Sequence, residues 1–200
     1  MLDLFPEEKI ILDLPDAIFE YYPNFFSQAK ADELYKLLHE NTPWQQDTIT
    51  VYGKNHLQPR LTALYGNEGK PYKYSNIVMN PHPWNATLIY MKELVEEKAN
   101  HDFTTVLLNQ YRNERDSNGW HADNEKELGR DPIIASISLG EERTFQLKHN
   151  TQKEIKQSLL LKHGSLILMK EGSQIHYKHQ IPKASKPKNT RINLTFRRIL

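Results

Sequence analysis

Two periodicities divide the chain. In its first half, apolar residues recur at helical spacing in two places. Leu34, Leu37 and Leu38 give a buried stripe to a helix over about 28–40, with Ser27 as its N-cap. Leu88, Met91, Leu94 and Val95 do the same for a second helix, opened by the cap Asn85, whose wet face carries Glu93, Glu96, Glu97 and Lys98. Around these, residues 10–17 read as a short strand closed by a turn, and the aromatic run 21–26 leads into the first cap. Residues 48–53 and 61–66 are β-rich and end at glycine, which predicts strands or a hairpin joined by the polar connection 54–60 and followed by a loop over 67–74. From 103 on the period falls to two. Residues 103–111, 132–139, 144–147, 158–161, 165–169 and 191–196 read as strands, separated by turn signals such as Gly140-Glu141-Glu142 and His163-Gly164. Helices first and then many short strands predict the α+β class with a sandwich or jelly-roll core.

Composition narrows the chemistry. At 200 residues the chain is the size of one domain, with a net charge of +1 that gives no bulk-charge argument for nucleic-acid binding. It has no cysteine, so disulfides and thiolate metal sites are excluded and any metal must be held by histidine and carboxylate. Residues 1–8 are acidic and lack the basic start of a signal peptide, and no apolar run reaches bilayer length. A cytoplasmic location is expected, nuclear in a eukaryote.

Candidate chemistry centres on Asn118-Gly119-Trp120-His121-Ala122-Asp123. On an extended strand, residues two apart share a face, so His121 and Asp123 would project side by side. With a distant histidine they would form a 2-His-1-carboxylate triad, which leaves positions open on ferrous iron. His149 and His163 read as solvated turn residues. His176 and His179 have opposite parity on one expected strand, so only one can face the metal. His179 precedes Arg191 by twelve positions, and that relation favours it, with His176 as a rim or structural alternative. In Arg191-Ile192-Asn193-Leu194-Thr195-Phe196-Arg197, alternation puts Arg191, Asn193, Thr195 and Arg197 on one face. Two inward arginines are costly without an anion, and a dicarboxylate forks a guanidinium well.

Taken together, Asn109-Gln110-Tyr111, His121-Ala122-Asp123, His179 and the Arg-x-Asn-Leu-Thr-Phe-Arg run resemble the AlkB family of Fe(II)- and 2-oxoglutarate-dependent oxygenases, nearest to the double-strand-acting DNA-repair type. The resemblance implies one domain over 1–200 with a double-stranded β-helix core from about 103, preceded by helices and a nucleotide-recognition lid. It implies Fe(II), 2-oxoglutarate and O2, with His121, Asp123 and His179 as iron ligands. Arg191 would hold the distal carboxylate of 2-oxoglutarate. Asn109, Tyr111, Asn193, Thr195 and Arg197 would complete the pocket. Tyr74 would stack on a flipped base against His121, while Tyr72 and Glu125 touch its edge. Val51-Tyr52-Gly53 would be a wedge in the stack, with tyrosine where the family often has phenylalanine. Lys54, Arg60, Lys183, Lys186 and Lys188 would meet phosphates. The implied reaction is demethylation of 1-methyladenine and 3-methylcytosine in DNA, with RNA as a second substrate class, by a monomer that touches no membrane. Two alternatives remain at this point: an oxygenase of the same core acting on a protein or small molecule, and a non-catalytic nucleic-acid-binding jelly roll.

Overall fold

The late strands are buried on both faces, and their alternation sorts apolar side chains outward toward helices and a mixture of polar and apolar ones inward toward a second sheet. The computed structural model describes residues 9–51, 54–67, 72–74 and 77–200, and side chains at 50, 51, 54, 72–74 and 77–79 lie outside that description. In chain order come β1 (Ile10–Ile11), β2 (Phe19–Tyr22), α1 (Gln28–Asn41), β3 (Thr48–Val51), β4 (Lys54–Leu57), β5 (Leu61–Gly66), β6 (Tyr72–Tyr74), β7 (Ile77–Met79) and α2 (Ala86–Ala99). Then follow β8 (Thr105–Tyr111), β9 (Asn118–His121), β10 (Ile134–Gly140), β11 (Arg143–His149), β12 (Lys156–Leu161), β13 (Ser165–Met169), α3 (Ser173–His176), β14 (Tyr177–Ile181) and β15 (Arg191–Arg197). Among the described residues, the larger sheet runs β1-β2-β13-β10-β15-β8-β5 and the smaller β12-β11-β14-β9, the paired sheets of a jelly roll.

Period two explains where the core sits. Val106 and Leu108 of β8, Ala135, Ile137 and Leu139 of β10, and Ile192, Leu194 and Phe196 of β15 join one apolar cluster with Leu34 and Leu38 of α1 and Leu88, Met91 and Val95 of α2. Their alternates Leu107, Tyr111, Ile134, Ile167 and Met169 face a second cluster, shared with Phe145, Leu147, Tyr177 and Ile181 of the smaller sheet. Each fully buried Leu, Ile or Phe contributes about 1.5–3 kcal/mol, so the helices are held to the larger sheet mainly by this packing. The helix starts are as expected. Ser27 Oγ accepts from Lys30 N at 3.4 Å, and Asn85 Oδ1 from Leu88 N at 2.9 Å.

Several local expectations change. The connection 54–60 contains β4, so the hairpin is β3–β4, while β5 joins the larger sheet beside β8. The aromatic run contains β2, which pairs with β13, and the expected loop 67–74 ends in β6, paired with β7. No boundary falls near 102 in the sheet, because β1, β2 and β5 are built into it. His149 is buried, at 5% exposure, and His163 is pinned by Gly140 N donating to its Nδ1 at 2.8 Å, so neither is a solvated turn residue. His176 closes the short helix α3 and does not share a strand with His179. Residues 1–8, Tyr52 and Gly53 lie outside the described residues.

Candidate active site

The inward alternates of β8, β10 and β15 are polar where a core would make them apolar, and they meet in register. Arg191 lies opposite Tyr111 and Asn193 opposite Asn109 across β15–β8, while Ser138 faces Asn193 and Ser136 faces Thr195 across β10–β15. Hydrogen bonds tie the row together. Asn193 Nδ2 donates to Ser136 Oγ at 2.7 Å and to Ile137 O at 2.9 Å. Thr195 Oγ1 donates to Asn193 Oδ1 at 3.1 Å, and Arg191 Nη2 to Ser138 Oγ at 2.9 Å. Arg191 is 1% exposed, its guanidinium carbon stands 5.1 Å from the centroid of the Tyr111 ring, and its Nε and Nη1 have no hydrogen-bond partner among the described residues. Burial, and then the nearby Arg143, lower its pKa to about 10 against the opposing pull of Tyr111, so it stays charged at neutral pH.

Facing this row, the smaller sheet brings the histidines together. β14 pairs with β9 with His179 directly opposite His121, and the two rings lie 4.2 Å apart between centroids. Asp123 follows the end of β9, is 1% exposed, and places Oδ2 4.0 Å from His179 Nε2. One ligand atom from each of His121, Asp123 and His179 lies within 4.8 Å of the others. Asp123 is held from two sides, Oδ1 accepting from Arg197 Nη2 at 2.7 Å and its backbone N donating to Gln174 Oε1 at 2.8 Å, while Oδ2 has no hydrogen-bond partner among the described residues. Burial would raise its pKa, but Arg197, then His179 and His121, bring it to about 2. Burial, reinforced by His121, lowers His179 to about 3, and burial likewise lowers His121 against the pull of Asp123. At neutral pH the site therefore presents two neutral imidazoles and one carboxylate.

The tautomers separate this cluster from a second one. Asp16, His149 and His176 also bring ligand atoms within 4.8 Å. There, His149 Nδ1 accepts from the backbone N–H of Gln152 at 3.0 Å and of Thr151 at 3.3 Å, so the ring proton sits on Nε2, facing Asp16 Oδ2 at 3.4 Å. A protonated nitrogen has no lone pair for a metal. His121 is the opposite case. Its Nδ1 is 2.7 Å from Gly119 O, which only accepts, so Nδ1 carries the proton and Nε2 carries the lone pair, accepting from Asn118 Nδ2 at 3.2 Å, an amide that an ion on Nε2 would displace. The fit to iron and to a small diacid therefore rests on His121 Nε2, the unbonded Asp123 Oδ2 and the two unbonded N–H groups of Arg191.

The remaining expected residues divide. Asn109, Tyr111, Thr195 and Arg197 line the same pocket as the triad. Arg60, expected at a phosphate, is instead 4% exposed and donates through Nε to Asn109 Oδ1 at 2.8 Å, bracing the pocket from behind. Lys188 is tied to Glu141 at 2.7 Å, whereas Lys183 and Lys186 are exposed. Glu125 caps the single 3-10 turn Lys126–Leu128, outside the pocket lining. Val51 belongs to β3 and Tyr72 and Tyr74 to β6, with side chains, like that of Lys54, outside the description. Gln174, Ser136, Ser138 and Arg143 went unassigned from sequence. The serines had a readable signal, as polar inward positions alternating with Ala135 and Ile137. Gln174 and Arg143 act through long-range bonds that no local pattern carries.

The loop before β9 is locked by Asp116, which accepts from Arg112 N at 2.9 Å, Nε at 2.7 Å and Nη2 at 2.9 Å. Burial opposes its ionisation, but the bonds from Arg112 outweigh it and hold the carboxyl below its usual range. A depressed folded pKa stabilises above the unfolded value, about 3.9, and that stabilisation is lost as pH falls through the folded value. Asp116→Asn is thus expected to lower the urea midpoint at pH 7, with the gap to the parent closing toward pH 2–3. A gap of the same size at both pH values would refute the ionic role.

Residues 19–197 match the family model described as 2OG-Fe(II) oxygenase superfamily. The chain is 40% identical over 187 residues to human "Alpha-ketoglutarate-dependent dioxygenase alkB homolog 3", covering 89% of this chain and 65% of that protein. It is 34% identical over 189 residues to human "DNA oxidative demethylase ALKBH2", covering 90% of this chain and 72% of that protein. The solved structure titled "The structure of OsALKBH1" matches with a TM-score of 0.68 at 13% identity over 94% of this chain and 100% of that one, a likeness of fold. The chain thus spans somewhat under two thirds of the alkB homolog 3 relative's length.

Proposed function

The chain belongs to the 2OG-Fe(II) oxygenase superfamily, and from that premise we propose that it demethylates N-methylated nucleobases of DNA, and of RNA as a second substrate class, in direct reversal of alkylation damage. The observation that carries the oxygenase part is the buried Arg191, with Nε and Nη1 unpartnered among the described residues, in one pocket with three convergent metal-ligand atoms. The nucleobase part is supported by the likeness to a protein named a DNA oxidative demethylase. The net reaction converts N–CH3, 2-oxoglutarate and O2 into N–H, formaldehyde, succinate and CO2.

His121, Asp123 and His179 would hold Fe(II), which together with 2-oxoglutarate and O2 supplies the oxidant for the methyl carbon. The chain's work is placement. Arg197 fixes one oxygen of Asp123 and leaves the other for the ion, and Gln174 sets the backbone beside it. Ser138 orients Arg191 so that its remaining N–H groups fork the distal carboxylate of the diacid, with Tyr111 flanking. The inward rows of both sheets wall the pocket from bulk water, which strengthens each charge-assisted bond. Asn109, Asn193 and Thr195 complete the diacid's polar surroundings. Access to the base requires its extrusion from the stack. In this reading Tyr74 and the His121 ring sandwich the base, Tyr72 and Glu125 meet its edge, and Val51-Tyr52-Gly53 fills the gap left in the stack. Among the described residues no helix is long and apolar enough to cross a membrane. The cytoplasm, or the nucleus of a eukaryote, is the proposed setting, and a monomer the proposed working unit.

The test loads the protein anaerobically with Fe(II) and 2-oxoglutarate, admits air over a panel of methylated oligonucleotides, and follows their mass together with succinate. Loss of 14 mass units per methyl group, about that expected for N–CH3 becoming N–H, with matching succinate is the expected result. Succinate formation with every oligonucleotide mass unchanged would leave an oxygenase of another substrate and overturn the nucleobase assignment.

A further inference from the structure

We propose that the outer face of the smaller sheet carries a track for the sugar–phosphate backbone of a single nucleic-acid strand, built from Lys156, Lys148 and Lys178 with the Trp120 ring against the middle lysine. The inference rests on the nucleic-acid reading above and names a surface for it.

Strand register makes the row. Lys148 of β11 lies directly opposite Lys156 of β12 on one side and Lys178 of β14 on the other. Neighbouring strands are about 4.7–4.9 Å apart, so three ammonium groups rise side by side across three strands. Like charges directly opposite each other destabilise a sheet. Among the described residues none of the three forms an ion pair with a carboxylate, so no counter-charge there offsets that repulsion. Lys153, from the β11–β12 turn, and Asn150 join them around a cleft of about 350 Å³. A polyanion with regularly spaced charges answers such a row, where a single small anion meets one lysine at most two.

Two further observations favour a nucleic-acid strand. Lys148 Nζ stands 4.4 Å from the centroid of the Trp120 ring, and Trp120 is 37% exposed. Cations beside an exposed aromatic ring are the arrangement that takes a backbone and stacks a base. The row is also tied to the pocket. Lys178 precedes His179 and Lys148 follows Leu147, so these lysines lie one residue along from the ligand row Leu147–His179–His121, on the opposite face, and Trp120, which precedes His121 on the antiparallel β9, lies one residue off that row on its other side. A strand whose base enters the pocket can therefore pass round the sheet edge at β9 onto this face. Helical and strand patterning in the sequence hide the row, because its members are scattered over three strands and align only through pairing.

The test compares the parent with the triple variant Lys148→Ala/Lys156→Ala/Lys178→Ala, and with a charge-matched control, Lys30→Ala/Lys36→Ala/Lys92→Ala. Binding of an unmethylated, labelled single-stranded 20-mer is titrated at several salt concentrations. Each phosphate contact in a single strand contributes about 0.7 to the slope of log Kd against log salt, so the triple variant should lose about 2 in slope and about a hundredfold in affinity at 0.1 M salt. The control should change little, and thermal unfolding of the triple variant should match the parent or rise slightly as repulsion is removed. Parental slope in the folded triple variant, or an equal loss in the control, would overturn the track. So would undiminished strand binding accompanied by lost binding to phosphatidylserine vesicles, which would assign the row to a lipid surface. The demethylation assay on the parent is read separately: its failure removes the substrate assignment, whereas a parental slope in a demethylating protein removes only the track.

Discussion

Asp123→Ala is expected to reduce demethylation below detection and to destabilise the metal-free protein at the same time. The two effects have different causes. The carboxylate supplies the only anionic ligand of the triad, and Fe(II) on two neutral imidazoles alone is held too weakly for turnover. The same carboxylate is the partner of Arg197, at 2.7 Å with both groups almost fully buried. Removing one member of a buried ion pair leaves the other charge uncompensated, at a cost of about 3–5 kcal/mol. Asp123→Asn separates the effects. Its amide oxygen still accepts from Arg197 Nη2, so the stability loss should be smaller, while the missing charge still removes the metal. Binding of Mn(II), a redox-silent stand-in, followed by electron paramagnetic resonance, and urea unfolding of both variants read the two axes. Parental Mn(II) affinity in Asp123→Ala would remove this residue from the ligand set, and an undiminished unfolding midpoint would show that Arg197 does not depend on it.

The division between what sequence showed and what it hid follows the range of the interactions. Helix caps are local, and Ser27 and Asn85 were legible because the bond reaches only three residues on. Alternation is local as well, so the inward set of Arg191, Asn193, Thr195 and Arg197 could be placed before any sheet was known. The spacing of His121 and Asp123, two apart, and the relation of His179 to Arg191 pointed to three side chains whose ligand atoms do converge within 4.8 Å. Strand pairing is another matter. The strand at 54–57 is hidden in the sequence because the segment is largely polar and carries no alternation of its own, yet its backbone closes the hairpin with β3. Arg60 was assigned to phosphate because an arginine in a polar connection is usually wet, and its burial behind Asn109 appears only once β5 lies beside β8. His149 looked solvated because the turn after it is polar. That turn folds its own N–H groups back onto Nδ1, which buries the ring and also withdraws it from metal chemistry.

Arg191→Leu should act in opposite directions on function and on stability, and that sign reversal makes it the most diagnostic substitution in the pocket. The guanidinium donates to Ser138 Oγ at 2.9 Å and is enclosed by Tyr111, whose ring and hydroxyl favour the cation, and by the neighbouring Arg143 cation. Burying a cation with unsatisfied N–H groups is unfavourable, and replacing a buried charge by an apolar side chain of similar size is often neutral or stabilising. The co-substrate-free variant should therefore unfold at the same or a higher urea concentration than the parent. Binding of 2-oxoglutarate should weaken sharply, since truncating one partner of a buried charge-assisted pair costs about 2–5 kcal/mol, or roughly 30-fold to several thousand-fold in Kd. Arg191→Lys tests geometry against charge. It keeps the cation but not the planar fork, so its affinity should fall between those of the parent and the leucine variant. Calorimetric titration of 2-oxoglutarate into the Mn(II)-loaded proteins measures the affinities, and the KM for 2-oxoglutarate should rise far more than kcat falls at saturation. If the leucine variant binds the diacid as tightly as the parent, the carboxylate is held elsewhere. If it also unfolds earlier, Arg191 is a structural residue of the two-sheet core and the pocket must be read without it.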